Sequence, residues 1–223
     1  MKLARPDVFH PRIVLAGWAR QAAGDGDDAG LVPALRHRGL HARWLAWDDR
    51  ETRDADLVIL RATRDCADRV DEFLAWTTAV ANLLNPPQAV AWNLRERYLR
   101  DLERAGVPTA AAGGETALIF LQGRGSHAFT RAKPVEPEFE VWDLGYAALA
   151  SAAEHVGIGA DGLLYARVDV NGNRVVRLDL VSPSLGWRLL DEETREQAQR
   201  RFVLGVESAC ERLGLGPLAQ GGP

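Results

Sequence analysis

Cysteine is scarce: Cys66 and Cys210 are the only two. Two cysteines cannot build a disulfide framework, and their separation lacks metal-ligand spacing. A reducing cytoplasm is the expected setting. Long apolar runs are also missing. The stretch from Ile13 to Trp18 is too short for a signal or membrane helix. No sign of charge dominates. Lys and Arg number 27 against 31 Asp and Glu, a formal net charge of −4. That gives no electrostatic case for nucleic acid or for an anionic membrane. No internal repeat is apparent.

What is present is ordinary for a soluble globular protein: 47% apolar and 26% charged residues over 223 positions. This length allows one large domain or two small ones. Trp18, Trp142 and Trp187, three of the seven tryptophans, fall near predicted loops. There they could cover apolar surface or form a dimer contact.

The first half of the chain alternates strands and helices. Arg12 to Ala16, His41 to Trp47 and Asp56 to Leu60 read as strands. The acidic turn Gly24 to Asp28 is expected to cap a helix that Gly39 stops. The turn resembles half a calcium loop, but the spacing is wrong and no distal Glu follows. A second helix is expected from Val70 to Asn82. After the rigid turn Asn85-Pro86-Pro87, a third should run from Leu94 to Ala105, capped by Asn93. This order predicts a parallel sheet. Ligands of open α/β sheets sit beyond the carboxyl ends of the strands. Arg61, Arg64, Asp65 and Cys66 follow such an end and are site candidates. Cys66 lacks a visible partner histidine, so an inert buried thiol is the blander reading.

The second half is antiparallel in pattern. Ala117 to Gln122 and Ser126 to Arg131 form a hairpin, followed by a helix from Leu144 to His155. A long amphipathic helix spans Asp191 to Leu213, with Asp191, Glu192 and Glu193 at its positive end. The tail Gly214 to Pro223 is expected to fray. His127 lies on a strand near Ser126 and Lys133, where a satisfied structural histidine outweighs a catalytic one. His155 reads as a dipole partner at its helix end.

Between these elements lies Leu163 to Trp187, two alternating runs joined by Asn171-Gly172-Asn173. A three-residue loop pairs Val168 with Val176 and Ala166 with Leu178, leaving one apolar face. In that register Arg167 faces Arg177. The other face carries Tyr165, Arg167, Asp169, Arg177 and Asp179. Such a patch is either a chemical site or a self-neutralised salt-bridge lattice.

Three pieces carry a family resemblance: DLVILRATRDC, then LLNPPQAVAWNLRERYLRDLERAGVP, then GSHAFTRAKP with LLYARVDV and RLDLVSPSL. In this order and spacing they resemble the ATP-grasp superfamily, its glutathione-synthetase-like carboxylate–amine ligases. The resemblance implies an α/β fold. A parallel, Rossmann-like pre-ATP-grasp domain would span 1–108 and an antiparallel C-terminal ATP-grasp remnant 115–214, with a tail at 215–223.

The departures from the family are informative. Its nucleotide-binding lobe would follow Gly106-Val107-Pro108, yet only Thr109 to Glu115 stands there. Glu96 occupies the place of a family lysine. Asp169 matches a metal ligand, but the second strand offers Arg177 and Asp179. Magnesium needs an excess of negative oxygens, so Arg177 reads as a built-in replacement for the cation. ATP and magnesium are therefore not expected as cofactors, and Asp169 and Asp179 remain weak metal candidates.

The expected function is a degenerate ATP-grasp-like protein that binds an anionic metabolite or assists a full-length ligase. A repurposed enzyme running cyclisation, elimination or hydrolysis without nucleotide is the alternative, and a working ligase ranks below both. The catalytic candidates are Arg61, Asp65, Cys66, His127, Lys133, Arg167 and Asp169. The substrate-binding candidates are Arg64, Asn85, Tyr165, Arg177, Asp179 and Ser184.

Overall fold

The structure, a computed structural model, describes residues 10–23, 26–95 and 97–216. Glu96, Gly24, Asp25 and the tail from 217 onward lie outside the described residues. Two sheets organise the chain. Strands β1 (Arg12–Gly17), β2 (His41–Ala46), β3 (Leu57–Ala62) and β4 (Leu83–Leu84) form a sheet of order β2-β1-β3-β4, parallel throughout. Strands β5 (Thr116–Leu121), β6 (Arg124–Phe129), β7 (Pro134–Val135), β8 (Tyr165–Asn171) and β9 (Arg174–Asp179) form an antiparallel sheet of order β7-β6-β5-β8-β9. The helices are α1 (Leu31–His37), α2 (Val70–Ala79), α3 (Pro87–Asn93), α4 (Tyr98–Arg104), α5 (Phe139–His155) and α6 (Glu192–Arg212).

Strands β1 and β3 are nearly continuous apolar runs because both of their faces are covered. Ile13, Leu15, Leu57 and Ile59 face α1 and α6; Val14, Ala16, Val58 and Leu60 face Phe73 and Trp76 of α2. In the antiparallel sheet, Leu118, Phe120 and Val168 pack under Ala148, Leu149 and Ala152 of α5. Ala117, Ile119 and Leu121 point the other way and join the cluster that holds Phe202, Val203 and Val206 of α6. Helix α6 therefore lies between the two sheets, and one core spans both halves of the chain. A side chain at Gly205 would come within 2.9 Å of Gln122 and Leu164, so glycine lets α6 settle on the sheet. Trp187, expected near the surface, is fully buried against Phe202.

Several expectations change. Asn93 does not cap a single long helix. The segment folds as α3 and α4, and the Asn93 side chain is spent elsewhere. Helix α1 starts after Gly30 with no side-chain cap, and Asp27 and Asp28 are buried instead. The hairpin also pairs differently. Its turn has two residues, with Gly172 at a φ of 54°, as a glycine-first hairpin turn requires. Asn171 pairs with Arg174 and Val170 with Val175. Val176 then bulges, and Asp169 faces Arg177, Val168 faces Leu178 and Arg167 faces Asp179. The three-residue loop assumed an unbroken ladder. One bulge aligns the apolar residues just as well and brings opposite charges face to face.

Candidate functional site

The four charged residues of the hairpin form a closed set. Arg167 Nε donates to Asp169 Oδ1 at 2.7 Å, and Arg177 donates through an Nη to Asp179 Oδ2. Each arginine also faces the aspartate of the opposite strand. The patch is therefore a salt-bridge lattice with every acid compensated. Arg167 further lies over the Phe129 ring, 5.2 Å from its centroid, and reaches the Ser184 carbonyl. Asp179 Oδ1 accepts from the backbone amides of Val181 and Ser182 at 3.0 and 3.2 Å. Asp179 holds the Arg177 guanidinium above its ordinary pKa.

This donor set does not fit magnesium. The two carboxylates at Asp169 and Asp179 are neutralised by two guanidinium groups, where the ion needs uncompensated oxygens. Among the described residues, no three His, Cys, Asp or Glu side chains gather in a way that could hold a metal.

Other candidates lock the two halves together. Arg61 is buried. Its Nε and an Nη donate to Asp28 Oδ1 at 2.9 and 2.8 Å, and the same Nη donates to the Pro183 carbonyl. Burial opposes its charge, but Asp28 holds its pKa above the ordinary value. Tyr165 is a buried anchor rather than a surface ligand: its hydroxyl meets the Leu60 and Val181 carbonyls, and burial raises its pKa. Asn85, expected to bind substrate, is fully buried and accepts from Leu164 N while donating to the Tyr165 and Leu180 carbonyls. Ser184 donates to Asp27 Oδ2, which also accepts from the amides of Leu185 and Gly186.

Asp65 accepts from the Trp47 indole at 2.8 Å and from Arg69 at 3.3 Å. His127 donates from Nε2 to the Leu185 carbonyl at 2.7 Å, since a carbonyl can only accept. Its Nδ1 therefore accepts from Ser126 Oγ at 3.0 Å. Burial lowers its pKa, and both ring nitrogens are engaged within the protein, as a neutral structural histidine's would be. Lys133 sits exposed in the β6–β7 turn, where its backbone carbonyl accepts from Thr130. His155 packs against Trp92 with ring centroids 5.1 Å apart and the planes tilted by 31°.

Four of the candidates do meet in one place. Arg64, Cys66, Arg177 and Asp179 line a cleft of about 370 Å³ where the end of β3 faces β9. Asn93, Tyr98 and Ser182 line it too, and the sequence reading missed Tyr98 and Ser182 as site residues. Neither sits in a pattern that marks a site. Burial pushes the Cys66 thiol up to about 11, so the cleft offers a protonated thiol rather than a nucleophile. The outer edge of β9 is closed along this side. Asn93 donates to the Leu178 carbonyl and accepts from Leu180 N, and Tyr98 Oη accepts from Leu178 N. The connector after α4 continues the edge, with Val175 N donating to the Pro108 carbonyl and Ala110 N to the Val175 carbonyl.

These two sheets form an ATP-grasp-like fold, and its structural neighbours are ATP-grasp ligases. The crystal structure of the D-cycloserine synthetase DcsG superposes with a TM-score of 0.75 at 21% identity, covering 90% of this chain and 99% of that one. The D-alanine–D-alanine ligase of Bacillus anthracis superposes with a TM-score of 0.60 at 9% identity, covering 92% and 98%. The ligase PsnB, in complex with its precursor peptide PsnA2 and AMPPNP, superposes with a TM-score of 0.57 at 12% identity, covering 92% and 99%. Residues 13–85 match the family model for the D-cycloserine synthetase DcsG N-terminal domain. The cycloserine biosynthesis protein DcsG of Streptomyces lavendulae is 33% identical over 126 residues, 52% of this chain and 40% of that relative. The match thus spans well under half of the relative's length.

Proposed function

We propose that the chain works without a nucleotide, as a ligase-derived accessory protein of a biosynthetic pathway. It binds a small anionic molecule, a full-length ligase, or both. One observation carries this reading. From Val107 to the start of β5 the chain is a short connector hydrogen-bonded along the edge of β9. In the ATP-grasp resemblance, the lobe that grips nucleotide phosphates falls in this interval. Phosphoryl transfer depends on cradling those phosphates and neutralising them with Lys, Arg and metal. The lattice at Asp169 and Asp179 supports the reading from the metal side. The 33% identity to a cycloserine biosynthesis protein supports a biosynthetic setting.

Thermal melting in the presence of ATP, magnesium and both together tests the proposal. A ligand that binds the native state raises the midpoint with concentration. No saturable shift is expected. A shift that requires ATP and magnesium together would sink it.

A further inference from the structure

Of the large apolar side chains exposed among the described residues, two share one face of α5: Phe139, 74% exposed, and Tyr146, 42% exposed. The other two, Leu204 and Leu213, stand apart on α6 and just past its end. At ~100° of turn per residue, Trp142 falls on the same strip, about one turn from each. Two of the rings are held from beneath. Trp142 and Tyr146 meet Phe120 edge-on, with centroids 5.5 and 5.0 Å away. The Gly125 amide donates to Tyr146 Oη at 2.9 Å. A side chain at Gly125 would come within 2.9 Å of the Trp142 ring, so glycine lets both rings lie on β6. Trp142 and Tyr146 are therefore set in place before anything binds, and Phe139 projects beside them.

A charged border runs beside this strip. Helix α5 and the segment leading into it expose Glu136, Glu138, Glu140, Asp143 and Glu154, and the chain holds no Lys or Arg between Lys133 and Arg167. None of these five acids has an ion pair or a side-chain hydrogen bond among the described residues. The nearest cations in the chain are Arg124, next to Gly125, and Arg131 and Lys133, in the β6–β7 turn at the other end of β6. The Arg124 end also borders Asp161. Acids thus outnumber cations around the strip, and no Lys or Arg stands on the helix that bears it.

We propose that this face of α5 is a docking surface for a protein partner, filled by a segment that sets Lys or Arg among apolar side chains. Exposed aromatic rings are the common anchors of protein interfaces. Cationic side chains pack on the ring faces, and the acidic border draws them in. The same border turns away nucleic acid and anionic membrane. A second copy docked face to face would set the acids of α5 against their own counterparts. The choice of a protein partner rests on the accessory reading proposed above, and it is independent of whether nucleotide binds.

Nuclear magnetic resonance titration of the full chain, followed at the Trp142 indole N–H, tests the docking face. The probes are three amphipathic helical peptides that share a leucine face and carry a polar face of Lys, of Gln or of Glu. The Lys peptide should give saturable shifts and bind about tenfold or more tighter than the Gln peptide, with the Glu peptide weakest. Phe139→Ser should weaken the Lys peptide about tenfold, and Glu140→Lys combined with Asp143→Lys by a similar factor. Leu204→Ser, on α6, should leave binding unchanged. Phe139 is exposed, so its variant keeps the fold. No saturable shift with the Lys peptide, a Lys peptide no tighter than the other two, or binding indifferent to either α5 variant overturns the docking face. So does a dimer in sedimentation equilibrium that Phe139→Ser dissolves, since the occupant is then a second copy. A melting shift with ATP and magnesium would instead overturn the nucleotide-independent reading, so the two failures are separable.

Discussion

Cys66 and Cys210 show how burial decides chemistry at a single residue. Both thiols are pushed up to about 11, chiefly because the apolar surroundings penalise the thiolate. Alkylation of the folded protein should therefore rise about tenfold per pH unit from pH 8 to pH 10, without the plateau near pH 8.5 of a free thiol. Mass spectrometry of timed iodoacetamide reactions reads this directly, and an early plateau at Cys66 would restore it as a nucleophile. The same shift sets a stability trend. Above the unfolded thiol pKa the unfolded chain gives up protons that the folded chain retains. Stability is therefore intact below about pH 9 and falls as the pH rises toward 11.

At the scale of elements, short polar side chains do the joining. Asn85 follows β4, yet its three hydrogen bonds go to the start of β8 and to Leu180 beyond β9, separations of 79 to 95 residues. Replacing it with Ala would leave the Leu164 amide and two carbonyls buried without partners. Asn85→Ala should cost about 3 kcal/mol or more in urea denaturation. A loss below ~1 kcal/mol would mean that water enters and replaces the side chain. These bonds also explain what was legible in the sequence. The strands β1 and β3, the helices α2 and α6, and the apolar faces of the hairpin follow from local periodicity and appear close to where it places them, while α5 starts at Phe139, five residues before the expected Leu144. Asn93 and Asp27 were read as local caps because short polar side chains usually serve the nearest backbone. Their partners are 85 to 161 residues away, and no local pattern shows that. The register failed for a related reason. A bulge costs the pattern one residue without leaving a mark in it.

Over the whole molecule, Arg61 is a charged tie between the halves. It comes from β3, pairs with the buried Asp28 and donates to Pro183 in the second half. Arg61→Met should destabilise by about 3–5 kcal/mol, because the buried Asp28 carboxylate loses its guanidinium partner. The double variant Arg61→Met with Asp28→Leu should recover most of that loss. Equal losses in the single and double variants would show that the pair's hydrogen bond to Pro183, and not its charge balance, holds the halves together. The candidate list from sequence gathered arginines by sign. Only the folded chain separates Arg61, consumed as a fastener, from Arg177, which keeps donors facing the cleft.

The lattice on the hairpin has one more consequence. Around its perimeter the charges alternate: Arg167, Asp169, Arg177, Asp179. Such an arrangement is a quadrupole, with neither net charge nor appreciable dipole, and its potential dies away far faster with distance than that of a single ion. At distances large compared with the spacing of its charges the lattice exerts little pull on an ion, so it contributes little to long-range steering.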